Sequence, residues 1–159
     1  MVSDRIQQGE KILGGDKVHS KLGASSSERW FECPGSVALC ELAPKKDDTE
    51  WSVEGTNAHT LMEACMNKTP AVMYWMGREK ELGVDFKITQ EMADYVQGFI
   101  DRCRHLMFSL PGSVMYVEKQ FHLKHIHPAL FGTADVVIVQ PFGKIYVVDF
   151  KYGAGVPVD

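Results

Sequence analysis

Apolar residues recur at intervals of four and three between Thr89 and Phe108. There Met92, Val96, Phe99, Cys103 and Leu106 fall on one face of a helix whose N-cap is Thr89. Ala58, Leu61, Met62 and Cys65 share that spacing and predict a helix from about Val53 to Met66, closed by Asn67 and Pro70. Beyond Phe108 the period changes. Ser113 to Leu123, Gly132 to Gln140 and Lys144 to Phe150 are rich in Val, Ile, Tyr and Phe and read as three strands. The last two are joined by Pro141, Phe142 and Gly143, a link of hairpin length. Shorter helices are expected from Ser25, which with Glu28 has capping-box spacing, through Trp30 and Phe31, then over Ser36 to Leu42 and around Val72 to Lys80. Lys45 to Asp48 read as a solvated link. Residues 1–22 lack apolar periodicity and read as a flexible lead-in to one domain over 23–159. The predicted class is α/β, a central mixed, mostly antiparallel sheet flanked by helices near 53–66 and 89–108.

Composition supports a single globular domain, with 159 residues, 45% hydrophobic and 24% charged. A chain of this size needs no disulfide or structural metal to hold a core. Its four cysteines, Cys33, Cys40, Cys65 and Cys103, show no Cys-x-x-Cys pair and read as reduced thiols, the last three as small buried hydrophobes. No run approaches the roughly 20 apolar residues that span a bilayer, and no signal peptide is legible, so a cytoplasmic protein without a membrane partner is expected. The net charge of −4 excludes a protein that coats nucleic acid by bulk electrostatics. Locally the balance reverses: from Lys119 to Lys151 there are four lysines against Asp135 and Asp149, with His122, His125 and His127 in the same stretch.

The chemistry concentrates between Phe131 and Gly155. A hairpin centred on Phe142 places Asp135 opposite Asp149, with Cβ atoms about 4.5 to 5.5 Å apart on one face. Two like charges there repel unless a cation lies between them, and a divalent metal is the natural occupant. Lys151, two residues beyond Asp149, shares that face by strand alternation. The alternative is that Asp149 and Lys151 form a surface ion pair on an edge strand. Against it stands the apolar run Ile145 to Val148, opposite Val136 to Val139, since such runs mark strands covered on both faces.

Gly132, Asp135, Asp149, Phe150, Lys151, Tyr152 and Gly153 together resemble the nuclease core of the PD-(D/E)XK superfamily, RecB-like branch. Upstream, Gly55, His59 and Glu63 in EGTNAHTLME resemble that branch's helical histidine motif, and SSSERWFECPGSVAL resembles its opening helix with a Cys-Pro step. The nearest likeness is to a phage-encoded family related to the RecB-like nucleases of CRISPR adaptation, and it covers roughly residues 19–159.

The resemblance implies a restriction-endonuclease-like core and a metal-dependent DNA nuclease, by likeness an exonuclease, active in the cytoplasm of a bacterial host and encoded by a phage or prophage. His59, Asp135, Asp149 and the Phe150 backbone carbonyl would ligate Mg²⁺ or Mn²⁺, with Asp135, Asp149 and Lys151 as the catalytic set and Lys151 acting on the attacking water. A histidine nitrogen among carboxylates makes Mn²⁺ the better fit. Without the resemblance, His59 reads as a core histidine. Glu63, one turn further on, either orients His59 or acts in the outer shell of the metal, or is a solvated helix carboxylate. Glu118 either adds an acidic group near the metal or is a surface strand glutamate. Lys119, Lys124 and Tyr152 are the DNA-contact candidates, the three histidines suit backbone or solvent contact, and Trp30 with Phe31 reads as core.

Two departures qualify the likeness. A Gln-x-x-x-Tyr helix should follow the Asp-x-Lys strand, and the chain stops at Asp159, so the expectation is either a domain whose C-terminal part is missing or a protein that lacks that element. An iron–sulfur cluster would need, besides Cys33, three cysteines beyond Asp159. The competing expectation is a nuclease fold kept as an inactive DNA-binding or assembly module in a phage complex, with phage or host recombination or replication proteins as partners.

Overall fold

The computed structural model describes residues 6–8, 20–44, 47–68, 70–141 and 143–153. The expected link residues Lys45 and Lys46 and the hairpin centre Phe142 lie outside them.

Thr89 opens the longest helix as expected, its hydroxyl oxygen accepting the Met92 N–H at 3.2 Å. This helix, α5 (Gln90–Ser109), buries Met92, Ala93, Val96, Ile100, Cys103 and Met107. Its mate α3 (Glu50–Met66) begins three residues before the expected start, because Thr49 caps it by accepting the Ser52 N–H. It buries Ala58, Leu61, Met62, Cys65 and Met66. The single helix expected over 72–80 is two pieces, a 3₁₀ turn (Val72–Trp75) and α4 (Glu79–Leu82), separated at Gly77, whose φ of 76° belongs to no helix. Near the start of the described chain, α1 (Ser27–Glu32) and α2 (Ser36–Leu42) flank the Pro34–Gly35 break. The expected Ser25–Glu28 capping box is not formed: Ser25 lies within a 3₁₀ turn (Ala24–Ser26), and the residue at the cap, Ser26, donates its hydroxyl back to the Gly23 carbonyl.

The strands are β2 (Val114–His122), β3 (Phe131–Val139) and β4 (Ile145–Val148), and both their junctions are antiparallel. A fourth strand, β1 (Ile6–Gln8), pairs parallel with β2 in the order β1-β2-β3-β4. This corrects the expectation of a flexible lead-in for those three residues. A strand so short carries no alternation to read, and its pairing partner lies more than 100 residues away.

One face of the sheet, through Met115, Val117, Val136 and Ile138 with Tyr146 and Val148 alongside, packs on α3 and α5 to make the core. The other face is open at β4, although Val137 at its middle is buried. Ile145 is 64% and Val147 68% exposed, and with Tyr116, Lys119, Phe121, Val137 and Val139 they line a depression of about 480 Å³. The apolar run in β4 therefore does not mean cover on both faces. Two further expectations fall with the same lack of cover. Cys40 is exposed rather than buried, and Phe31, stacked on Trp30 at 4.2 Å, is exposed rather than core. No helix among the described residues is long and apolar enough to cross a membrane.

Candidate metal centre

The β3–β4 ladder pairs Val136 with Val148 and Val139 with Ile145, the register expected from a turn centred on Phe142. Its last pair stops one position short of Asp135 and Asp149. On the other side, Val117 pairs with Val136 and Lys119 with Ala134, so Glu118 and Asp135 face each other between two regular pairs. Position 118 breaks the strand geometry: its φ is 51°, the single positive value at a non-glycine among the described residues. The break resets which way the strand points its side chains. Met115 and Val117 lie in the core, yet Lys119 joins Tyr116 and Phe121 on the open face.

Asp135 is held from two sides. One carboxylate oxygen accepts the Phe150 backbone N–H at 2.7 Å, and the other lies 3.8 Å from His59 Nδ1. His59 reaches the sheet from the middle of α3, where Phe150 fixes it edge-on with ring centroids 5.0 Å apart. Phe150 is itself buried and packs on Phe99 of α5 at 4.8 Å. A buried aromatic at the end of β4 thus ties the sheet, both long helices and the acidic group together. Gly55, one turn before His59, faces the backbone of Tyr152, where a Cβ would make an ordinary contact at 4.0 Å from that residue's carbonyl oxygen.

Three potential ligands converge. One donor atom each from His59, Glu118 and Asp135 lies within 4.8 Å of the other two, and all three residues are half-buried. The sequence reading placed His59 and Asp135 in the centre and put Glu118 at its margin. The sequence signal for Glu118 was its place in the strand before the hairpin; its register opposite Asp135 is set by the β2–β3 pairing.

Asp149 is outside this group. Its carboxylate is bound by the Lys151 ammonium at 3.0 Å, and both side chains are mostly exposed. The expected meeting of Asp135, Asp149 and Lys151 on one face is thus met only between the last two. Glu63 is half-buried and makes no hydrogen bond or ion pair among the described residues, so it does not orient His59 here.

Of the DNA-contact candidates, Lys119 lies over the Tyr116 ring at 5.5 Å on the open face, and Lys124 is exposed in the loop between β2 and β3. His125 is exposed in that same loop, while the His127 ring accepts the Ala129 N–H and His122 bonds Gln120. Tyr152 points elsewhere than expected, edge-on to Tyr95 of α5 and packed against the core. Burial, then the carboxylates of Glu54 and Glu91, push its phenol above the ordinary range. Cys33, the residue that the likeness links to a cluster, is exposed.

No solved structure is detectably similar to this chain. A family profile described as "Protein of unknown function (DUF2800)" matches residues 19–159, and the chain accordingly belongs to the DUF2800 family.

Proposed function

We propose that this protein is a divalent-metal-dependent nuclease that hydrolyses phosphodiester bonds in DNA. The observation that carries the proposal is the convergence of an imidazole nitrogen and carboxylate oxygens from three separate elements, α3, β2 and β3, within 4.8 Å of one another. Two acids so close repel unless protonated or bridged by a cation. The donor set suits Mg²⁺ and, because of the nitrogen, suits Mn²⁺ better; it contains no thiolate of the kind that selects softer metals. His59 and Asp135 hold the ion in this reading. A bound divalent cation supplies Lewis acidity toward a phosphate and lowers the pKa of water.

The chain's own residues do the rest. The Phe150 N–H holds one oxygen of Asp135 in place, leaving the other directed at His59. Phe150 packs edge-on against one side of the His59 ring. Lys151, an ammonium on the residue after Phe150, is suited to orient the attacking water and to offset charge developing on the phosphate. Lys119 and Lys124, on the hairpin that continues past Glu118 and Asp135, are the candidates for contact with the DNA backbone in this reading.

The test is release of nucleotides from linear and circular DNA with Mn²⁺ and with EDTA. The wild type should cut with Mn²⁺ only, and His59→Ala and Asp135→Asn should lose both cleavage and Mn²⁺ affinity. Lys151→Ala should keep Mn²⁺ affinity and lose cleavage by about a hundredfold or more. DNA that stays bound and uncut points instead to the inactive binding module, and cleavage by Lys151→Ala at the wild-type rate overturns the assigned role of that lysine.

A further inference from the structure

We infer that Tyr152 is a positioning residue for Lys151: it pins the chain beyond β4 against α3 and α5, and so fixes the backbone from which the lysine reaches out. The inference rests on the nuclease reading for the task of Lys151.

The β3–β4 ladder ends at the Val136–Val148 pair, and residues 149–153 run on without a ladder partner among the described residues. Alternation persists there. The Asp149 and Lys151 side chains are 61% and 81% exposed, whereas Phe150 between them is buried and Tyr152 after them is half-buried. Both chain neighbours of Lys151 are therefore aromatics turned toward the helices. Phe150 is held by Asp135, His59 and Phe99. Tyr152 is held by a different set: its ring stands edge-on to Tyr95 of α5 at 5.5 Å and 88°, and its hydroxyl lies beside Glu54 of α3 and Thr89, the cap of α5. Gly153 follows at φ 103°, a conformation open to glycine, so the chain turns as soon as the aromatic has been placed. Lysine is a point charge on a flexible four-carbon stem, and with so exposed a side chain its reach is set by where the backbone holds it. Two observations separate this role from core filling and from DNA contact. Tyr95 is itself 58% exposed, so the tyrosine pair lies at the rim of the core. The Glu54 and Glu91 carboxylates near the phenol oppose contact between Tyr152 and a DNA phosphate.

The experiment compares wild type, Tyr152→Leu, Tyr152→Phe and Tyr95→Ala by steady-state cleavage of linear DNA with Mn²⁺, by Mn²⁺ affinity, and by amide hydrogen exchange over 149–153 in the protein alone. Tyr152→Leu should lower kcat about tenfold or more with KM and Mn²⁺ affinity within about threefold of wild type, and should exchange faster over 149–153. Tyr152→Phe keeps the ring on Tyr95 and should rescue kcat to within about threefold of wild type, while Tyr95→Ala, which leaves the segment itself unaltered, should lower kcat in the same direction as Tyr152→Leu. Rescue by Tyr152→Phe excludes misfolding as the cause. A loss in KM rather than kcat makes Tyr152 a DNA contact and overturns the inference, as does Tyr152→Phe that loses as much as Tyr152→Leu. Exchange unchanged in Tyr152→Leu overturns it whether or not the protein cuts DNA. Faster exchange in Tyr152→Leu of a protein whose wild type cuts nothing leaves the pinned segment standing and fells the nuclease reading.

Discussion

Phe150 is where stability and the candidate centre meet, and Phe150→Ala measures how strongly they are joined. The side chain is 1% exposed and sits between the His59 and Phe99 rings at 5.0 and 4.8 Å, in a segment held beyond the last pair of the β4 ladder. Truncating a buried phenylalanine costs about 3–5 kcal/mol, the lost transfer energy plus the cavity left behind. In a domain of this size each kcal/mol moves the melting temperature by about 2–4 °C, so the variant should melt about 6–20 °C below wild type. Alanine keeps the backbone N–H that bonds Asp135, but loses the anchor that holds this N–H in place. Mn²⁺ affinity should therefore fall as well, in protein that is still folded at 15 °C. Phe150→Leu, which refills most of the volume, should lose about 1–2 kcal/mol and retain most of the affinity. Calorimetric melting with and without Mn²⁺ reads both effects. A fall of less than about 3 °C would show that Phe150 does not close the core at this end. A normal fall with unchanged Mn²⁺ affinity would show that the ligands do not depend on it.

Thr89→Ala removes the oxygen that accepts the Met92 N–H and should cost about 1 kcal/mol, seen as a 2–4 °C drop in melting temperature; no drop would mean that the cap contributes nothing to α5. Burial pushes the Cys65 and Cys103 thiols up from about 9.0 to about 11. The folded state thus keeps protons that the unfolded state releases, and this contribution, about 2–3 kcal/mol per thiol, is complete below pH 9 and lost as pH rises to about 11. Urea midpoints from pH 8 to 11 should fall less in the Cys65→Ala/Cys103→Ala variant than in wild type, and parallel curves would refute the linkage. The same burial predicts that Ellman's reagent titrates Cys33 and Cys40 in native protein and reaches Cys65 and Cys103 only after denaturation. Replacing Lys119 and Lys124 by alanine should weaken DNA binding and reduce its salt slope by about 2 while Mn²⁺ affinity is unchanged; an unaltered slope would remove this hairpin from the DNA path.

Period and turn chemistry are local, and what depends on them was legible in the chain. The four-and-three spacing after Thr89 marks α5 to within a residue at each end, because one apolar face against a core imposes it. The Pro141–Gly143 link sets the β3–β4 register, which pairs Val136 with Val148 and ends one position short of Asp135 and Asp149. The switch from helical to alternating spacing near Ser113 likewise separates the helices from the sheet. Long-range packing decided the rest. Three residues of β1 pair with a strand far along the chain, and nothing in Ile-Gln-Gln announces it. The run Ile145 to Val148 has the same composition whether one face is covered or two, and only the placement of the helices leaves Ile145 and Val147 open. The cost of left-handed backbone argues against glutamate at position 118, so local preference predicts an ordinary strand residue there. Tertiary contacts override that preference: β2, β3 and α3 close around the position and hold the carboxylate beside His59 and Asp135, while Lys151, free of such packing, turns to its neighbour Asp149.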